Sequence, residues 1–274
     1  MMNREEKVLI FKDTEKMYSS NSLLVESIRN SKQNQQLILE KDNVRNDNNK
    51  YERPVEVIVS KKRSLEAAMN YKGQKVCVLN FASATNPGGG VTRGSSAQEE
   101  CLCRCSTLYA NLNTDRLMKG FYIPHRKAKN YLYNDDCIYT PDVTVFKTDS
   151  AQPETMKEES WYNVNVITCA APNLRAYLAN KEGNKAIDKK EIKELHLKRG
   201  RRILDIAKGN GNEVVILGAF GCGAFFNPLE IVAEAYSELM KEYKYDFKTA
   251  EFAVYCTPRD ERNYNEFKRI FERR

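Results

Sequence analysis

A chain of 274 residues, 41% of them hydrophobic, suits one large domain, or one domain with an extension, around a real core. It has no run of apolar residues long enough for a membrane-spanning helix, and the N-terminal MMNREEKVLIFKDTEK carries acids and no long apolar region, so neither a span nor a signal peptide is expected. Eight cysteines without framework spacing point to reduced thiols and a cytoplasmic location, while a net charge of +7 admits acidic partners, polyanion and nucleic acid alike.

In chain order, residues 3–18 and 22–33 read as two helices, the second capped by Ser20 or Asn21. Gln36 to Glu40 reads as a short strand, and Lys41 to Arg53, rich in Asn, as a loop. Val55 to Val59 alternates like a strand, Ser64 caps a helix through Asn70, and Val76 to Ala82 has the composition of a buried strand. Strand, helix, strand implies a right-handed crossover and a parallel pair. Ala97 to Leu112 is predicted helical, with Leu102 and Leu108 inward. Two strands, Ile138-Tyr139 and Val143 to Lys147, are split by Pro141, and Asp149 to Trp161 is a polar loop. Val164 to Ala171 is a strand and Asp188 to Lys208 a long amphipathic helix stopped by Gly209 and Gly211. Val214 to Leu217 is a strand, Pro228 to Lys241 a helix with proline in its first turn, Glu251 to Cys256 a strand and Arg262 to Arg274 a helix. Alternating strands and helices after Val55 indicate a mainly parallel sheet covered on both faces.

Much of the positive charge lies on two helices, at Lys198, Arg199, Arg201 and Arg202 and at Lys268, Arg269, Arg273 and Arg274, which read as solvated faces. Cys101, Cys103 and Cys105 lack the spacing of a zinc site, and His125 and His196 form no cluster with them. Buried structural thiols are expected, with no metal.

The residues that carry chemistry follow the strand at Val76. Asn86-Pro87 and Gly88, Gly89 and Gly90 form a turn whose N–H groups can make an anion-binding concavity. Gln98, Glu99 and Glu100 stand just beyond it, so two adjacent acids offer proton transfer beside a bound anion. A P-loop is excluded because Ser95 and Ser96, not Lys-Ser/Thr, follow Gly94; a dinucleotide fingerprint is excluded because Arg93 occupies the third glycine position. A second glycine-rich turn, at Gly221 and Gly223, follows the strand at Val214, ready to wrap a phosphate pair with the next helix N-terminus behind it. Open α/β sheets place ligands at such strand ends.

The order N-P-G-G-G, a short spacer, then Q-E-E resembles the signature of poly(ADP-ribose) glycohydrolases. The flanks V-L-N-F-A-S-A-T-N-P and C-L-C-R-C-S-T-L-Y look like the microbial branch of that family, and L-G-A-F-G-C-G-A-F-F-N-P at Leu217 to Pro228 resembles its phosphate-binding loop. The resemblance runs from about Val55 onward and more weakly before. It implies a macrodomain-like α/β sandwich over residues 55–274, preceded by a helical extension over 1–54. It also implies hydrolysis of ribose–ribose O-glycosidic bonds, with Glu100 as acid/base and Glu99 on the ribose hydroxyls. Asn86, the three glycines, Gln98, Gly221, Cys222, Gly223, Ala224 and Phe225 would bind substrate, Phe225 packing on the distal ribose. No metal or organic cofactor is implied, and ADP-ribose would be the product. A mono-ADP-ribosyl hydrolase acting on protein or nucleic acid, and a non-catalytic ADP-ribose reader, are the rival readings; direct nucleic-acid binding is not expected. Adjacent glutamates diverge by about 100° on a regular helix, so both acids are expected to face one sugar only if the turn there is irregular.

Overall fold

In the computed structural model, which describes residues 2–44, 51–180 and 187–272, seven strands make one sheet. They are β1 (Gln36–Ile38), β2 (Glu56–Ser60), β3 (Val76–Phe81), β4 (Cys137–Val145), β5 (Tyr162–Cys169), β6 (Val214–Leu217) and β7 (Thr249–Ala253). Their order in space is β1-β4-β5-β3-β6-β7-β2. The five strands from β5 to β2 pair in parallel, β4 is antiparallel to β5, and β1 is antiparallel to β4. The architecture is the expected mainly parallel, macrodomain-like sheet between helices. The strands β2 and β3, expected as a parallel pair, are separated by β6 and β7, because strands formed late in the chain insert between them.

The strand β3 sits mid-sheet and shows why its sequence is almost wholly apolar. Cys77 and Leu79 pack under the helices Lys189–Gly209 and Leu229–Glu242, while Val76 and Val78 pack on the opposite face, under Ser64–Met69. Side chains alternate faces along a strand, so a strand covered on both sides must be apolar at every position.

Three local differences from the sequence reading have physical causes. Pro141 does not split a strand; β4 runs through it with a bulge between Thr140 and Val143. Proline has no N–H for the ladder and is tolerated at such a bulge. The extra residue reverses the side-chain alternation: Ile138 before the bulge and Val143 and Val145 after it reach the same core face. The predicted helix Ala97–Leu112 is two helices, Gln98–Cys105 and Leu108–Leu112. Ser106 goes extended between them, its hydroxyl donating to the carbonyl of Leu102 at 2.7 Å, while the N–H of Thr107 donates to Thr144 at 3.0 Å. Short hydroxylated side chains offer the backbone this alternative to continuing a helix. Ser64 is the first residue of its helix rather than its cap, and Pro228 stands one residue before Leu229–Glu242 rather than within it.

The expected N-terminal extension joins the sheet through β1. The helices Arg4–Ser20 and Ser22–Asn34 form as expected, Asn21 accepting the N–H groups of Leu23 and Leu24 at 2.9 and 3.2 Å. They lead into β1, the edge strand on β4. The first helix is tied down by Thr14, which donates to the carbonyl of Arg104 at 2.6 Å, and by Asp13, 2.6 Å from the buried ammonium of Lys147. Part of the predicted loop Lys41 to Arg53 lies outside the described residues, as do Arg273 and Arg274.

The predicted basic face at Lys198 to Arg202 is not a free one. Arg199 is buried: its guanidinium reaches Asp135 at 2.8 Å and the carbonyl of Ala170 at 2.8 Å. Lys198 pairs with Glu40 and Asp135, Arg201 with Glu242, and Arg202 donates to the carbonyls of Asp42 and Leu39. On the last helix, Arg262–Glu272, Lys268 pairs with Glu272 and Arg269 with Glu266. Among the described residues no helix is long and apolar enough to cross a membrane.

Candidate active site

The glycine turn leaves the carboxyl end of β3, and Gly88 and Gly89 both adopt φ of +62°, a left-handed conformation costly to any residue with a Cβ. Gly90 does not need that freedom, since its φ is −110°; there a Cβ would instead run into the side chain of Ser95. A short turn at Val91–Arg93 then delivers the chain to the helix Gln98–Cys105, with Gln98, Glu99 and Glu100 as its first three residues. A Cβ built on Gly89 would lie 2.5 Å from Oε1 of Glu100 and 3.1 Å from Oε2 of Glu99. Both acids therefore close on one glycine without the irregular turn that the sequence reading required. They diverge at the backbone and converge through the length of their side chains.

Their surroundings differ. Glu99 is held from three sides: Oε2 accepts the N–H of Ser83 at 2.8 Å, Oε1 accepts Asn80 at 3.2 Å, and Gly88 adds its own N–H. It is 2% exposed, and burial, with the charge of Glu100 adding to it, pushes its carboxyl up to about 8 against those three donors. Glu100 accepts the N–H of Gly90 on Oε1 at 2.8 Å, while its Oε2 is buried and has no hydrogen-bond partner among the described residues. Native structures rarely leave a buried carboxylate oxygen so. One acid is locked in place and the other keeps an unengaged edge.

Gln98 anchors the helix to the sheet. Its carbonyl oxygen accepts the N–H of Phe81 at 2.9 Å, and its amide donates to the carbonyl of Leu79 at 2.8 Å and to Ser64 at 3.0 Å. Those bonds commit both amide hydrogens. Asn86 likewise works within its turn, donating to Thr85 at 3.0 Å and accepting from Arg126 at 3.2 Å.

The second loop follows β6. Gly221 has φ of +78°, and a Cβ there would meet Asn227 and Ala171, at 2.5 and 2.6 Å. Asn227 closes this loop by donating to Pro172 at 2.7 Å and to Gly221 at 3.1 Å, and its oxygen meets Nε2 of His196 at 2.9 Å. With the amide so oriented, Nε2 is the donor. Burial pushes the His196 imidazole down to about 4, so it stays neutral and serves as a fixed strut. His125 is also buried, between the carbonyl of Phe121 and Asn134. Burial pushes the Cys222 thiol up to about 12, which makes it a poor nucleophile.

The two loops and the acid pair wall a single cleft of about 540 Å³, within the size range of small-molecule sites. Of the residues expected at the site, Gly89, Gln98, Glu99, Glu100, Gly221, Gly223, Ala224 and Phe225 line it. Asn86, Gly88, Gly90 and Cys222 stand behind that lining, where the two outer glycines of the first loop hold the carboxyls in place through their N–H groups. Sequence reasoning missed Asn80 and Ser83, which position Glu99, and Arg63 and Tyr255, whose guanidinium and ring stack 3.9 Å apart at the cleft wall. Asn80 carried a signal, being the one amide in the apolar run V-C-V-L-N-F. Among the described residues no group of three His, Cys, Asp or Glu side chains could hold a metal ion.

A family described as microbial-type PARG, catalytic domain, matches residues 5–148, beginning within the N-terminal helix. A comparison with curated proteins finds no match. Among solved structures, the chain is similar to poly(ADP-ribose) glycohydrolase (PARG) from Thermomonospora curvata, with 28% identity, a TM-score of 0.83, and 98% of this chain and 100% of that one covered. The structure of the Thermomonospora curvata enzyme bound to the inhibitor ADP-HPD matches with 28% identity and a TM-score of 0.80, over 97% and 99% of the two chains. Poly(ADP-ribose) glycohydrolase from Deinococcus radiodurans in complex with ADP-ribose is 29% identical, with a TM-score of 0.75 over 90% of this chain and 97% of that one. With a family match over more than half of its length, and with the glycine turn and the acid pair brought to one cleft, the chain belongs to the family of microbial-type poly(ADP-ribose) glycohydrolase catalytic domains.

Proposed function

We propose that this chain hydrolyses the ribose–ribose O-glycosidic bonds of poly(ADP-ribose) and releases ADP-ribose, with Glu100 as its acid/base. The observation that carries this reading is the position of Glu100 on the cleft wall beneath the glycine turn, with Oε1 held by Gly90 and Oε2 engaged by no described protein group. Cleavage needs a proton on the leaving oxygen and stabilisation of an oxocarbenium-like centre. Glu100 gives a proton to the leaving oxygen and takes one back from the attacking water. Glu99, held neutral at neutral pH by burial, orients a ribose hydroxyl. Gly221, Gly223 and Ala224 hold the diphosphate, and Phe225 packs on the distal ribose, since an aromatic face positions a sugar without competing hydrogen bonds. Gln98 and Asn86 act at one remove, as anchors of the helix and of the turn. In this reading hydrolysis asks only for water and the carboxyl.

The paired cations of the two basic helices favour ADP-ribosylated partners over direct nucleic-acid binding, and eight free thiols among the described residues accord with a cytoplasmic location. Incubation with poly(ADP-ribose), mono-ADP-ribosylated protein and ADP-ribosylated DNA tests the reading. Release of ADP-ribose from the polymer is expected. Release only from the mono-modified substrates would reassign the chain as a mono-ADP-ribosyl hydrolase, and binding without release would make it a reader.

A further inference from the structure

Next to Phe225, at the outer edge of the cleft, the backbone does something costly. Phe226 has φ of +60° although it is neither glycine nor asparagine, and the residue is 61% exposed. A bulky residue held in the left-handed region is a genuine outlier, and such strain collects at functional sites. The ring does not stand alone. The guanidinium of Arg175 lies 5.3 Å from its centroid, and the N–H of Arg175 donates to the carbonyl of Phe225 at 3.1 Å, fixing the helix Leu174–Ala179 to the loop.

At the start of the first glycine turn, the exposed Arg126 donates to the carbonyl of Thr85 at 2.6 Å and to Asn86. From the adjacent His125 a chain of rings runs to the second loop, His125 to Tyr133 at 6.1 Å and Tyr133 to Phe225 at 6.3 Å. Among the described residues neither Arg126 nor Arg175 has a carboxylate partner, in contrast to the paired cations on the basic helices. The exposed Phe226 and the guanidinium of Arg175 thus stand beside Phe225 of the cleft wall, and the guanidinium of Arg126 stands at the first turn.

We propose that Arg175 and Phe226, with Arg126 at the first turn, form a subsite for the adenosine diphosphate portion of the polymer unit on the leaving side of the bond being cut. This inference rests on the poly(ADP-ribose) reading of the cleft. A base stacks on the ring of Phe226, and the guanidiniums meet the diphosphate, the pairing of charge and π-face by which single-stranded polyanions are held. ADP-ribose alone, seated inside the cleft, does not reach the rim. The subsite therefore distinguishes a polymer end from the free product.

The test is the double variant Arg175→Ala with Phe226→Gly. Glycine removes the ring and relieves the left-handed backbone, so Tm holds or rises, whereas a merely structural phenylalanine would lower it. For long poly(ADP-ribose), KM is expected to rise about tenfold, as for the loss of one stacked base, with kcat held. The Kd for ADP-ribose, by calorimetry, is expected to stay unchanged. An unchanged KM would overturn the subsite, and so would an equal loss of affinity for ADP-ribose. If the parent protein releases nothing from polymer, the activity reading fails on its own, and polymer binding then decides the subsite. In a Glu100→Gln background, adding the two rim substitutions is expected to weaken binding of the polymer about tenfold; equal binding would overturn the proposal.

Discussion

The N–H of Gly90 donates to one oxygen of Glu100 at 2.8 Å, and the other oxygen is buried without a partner among the described residues. Glutamine in place of Glu100 keeps an oxygen for Gly90 but cannot transfer a proton. Glu100→Gln is therefore expected to lower kcat on poly(ADP-ribose) by about 10²–10⁴-fold, the usual worth of general acid–base help. ADP-ribose affinity and Tm are expected to hold. Near-normal turnover in the folded variant would remove Glu100 from the acid/base role.

Gly89 couples the turn to both acids. A Cβ there would lie 2.5 Å from Glu100, at φ of +62°. Gly89→Ala is expected to cost about 1–2 kcal/mol of stability for the left-handed backbone. It also pushes the carboxylate of Glu100 aside, and with Glu100 as the proposed acid/base turnover is expected to fall by about 10²-fold or more. Urea unfolding and steady-state kinetics on one preparation check both. Normal kcat with the expected loss of stability would show that Gly89 serves the turn and not the chemistry.

Much of this was legible in the sequence because it is local. A strand covered on both faces is an apolar run, so β3, β5 and β6 were readable, and the glycines and acids stand within thirteen residues of one another. What was not legible depends on chain segments meeting. No spacing foretells that Ser83 and Asn80 hold Glu99, or that Thr144 captures Thr107 and breaks a helix. Arg199 shows the same limit: a K-R-G-R-R run looks like a solvated face until Asp135 arrives from beside β4 to take one of its arginines inside.

That arginine gives a stability contrast. Arg199 and Asp135 are 1% and 5% exposed, whereas Arg201 and Glu242 are 46% and 41% exposed. Asp135 keeps Lys198 if the arginine is lost, but removing the acid strands the buried guanidinium of Arg199, so Asp135→Ala is expected to cost about 3–5 kcal/mol. Arg201→Ala is expected to cost about 0–1 kcal/mol, because water and salt already screen that pair. Similar losses from both would mean that the buried pair is as solvated as the surface one.

Glu99 makes stability depend on pH. Its carboxyl is raised from an ordinary 4.5 to about 8 in the folded chain. Below about pH 4.5 both folded and unfolded chains carry the proton, and this residue does not oppose folding. As pH rises to about 8, the unfolded chain ionises while the folded one keeps its proton, so stability is lost across that window and the loss is complete above it. Glu99→Gln removes the ionisation. The Tm of the variant minus that of the parent is therefore expected to grow from about pH 5 to about pH 8. An equal difference at both ends would mean that Glu99 titrates like an exposed acid.

The second loop offers a position that the fold does not need. Among the described residues, a Cβ built on Gly223 would meet nothing within 4 Å, and the residue lines the cleft. A methyl group there would project into open space of the cleft, where the proposed reading seats the diphosphate. Gly223→Ala is therefore expected to leave Tm unchanged and to weaken ADP-ribose binding about tenfold, one step of about 1.4 kcal/mol. Adenosine, which lacks the diphosphate and the distal ribose, is expected to bind far more weakly than ADP-ribose to the parent and to be indifferent to the substitution. Hydrogen bonds from backbone N–H groups to an anion are about twice as strong as neutral ones. Because they come from fixed backbone and not from mobile surface cations, raising the salt is expected to weaken ADP-ribose binding only modestly. Calorimetric titration of both ligands at low and high salt reads all of this. Equal affinity for adenosine and ADP-ribose would show that the loop does not hold phosphate, and a steep loss in salt would place the anion on exposed cations instead.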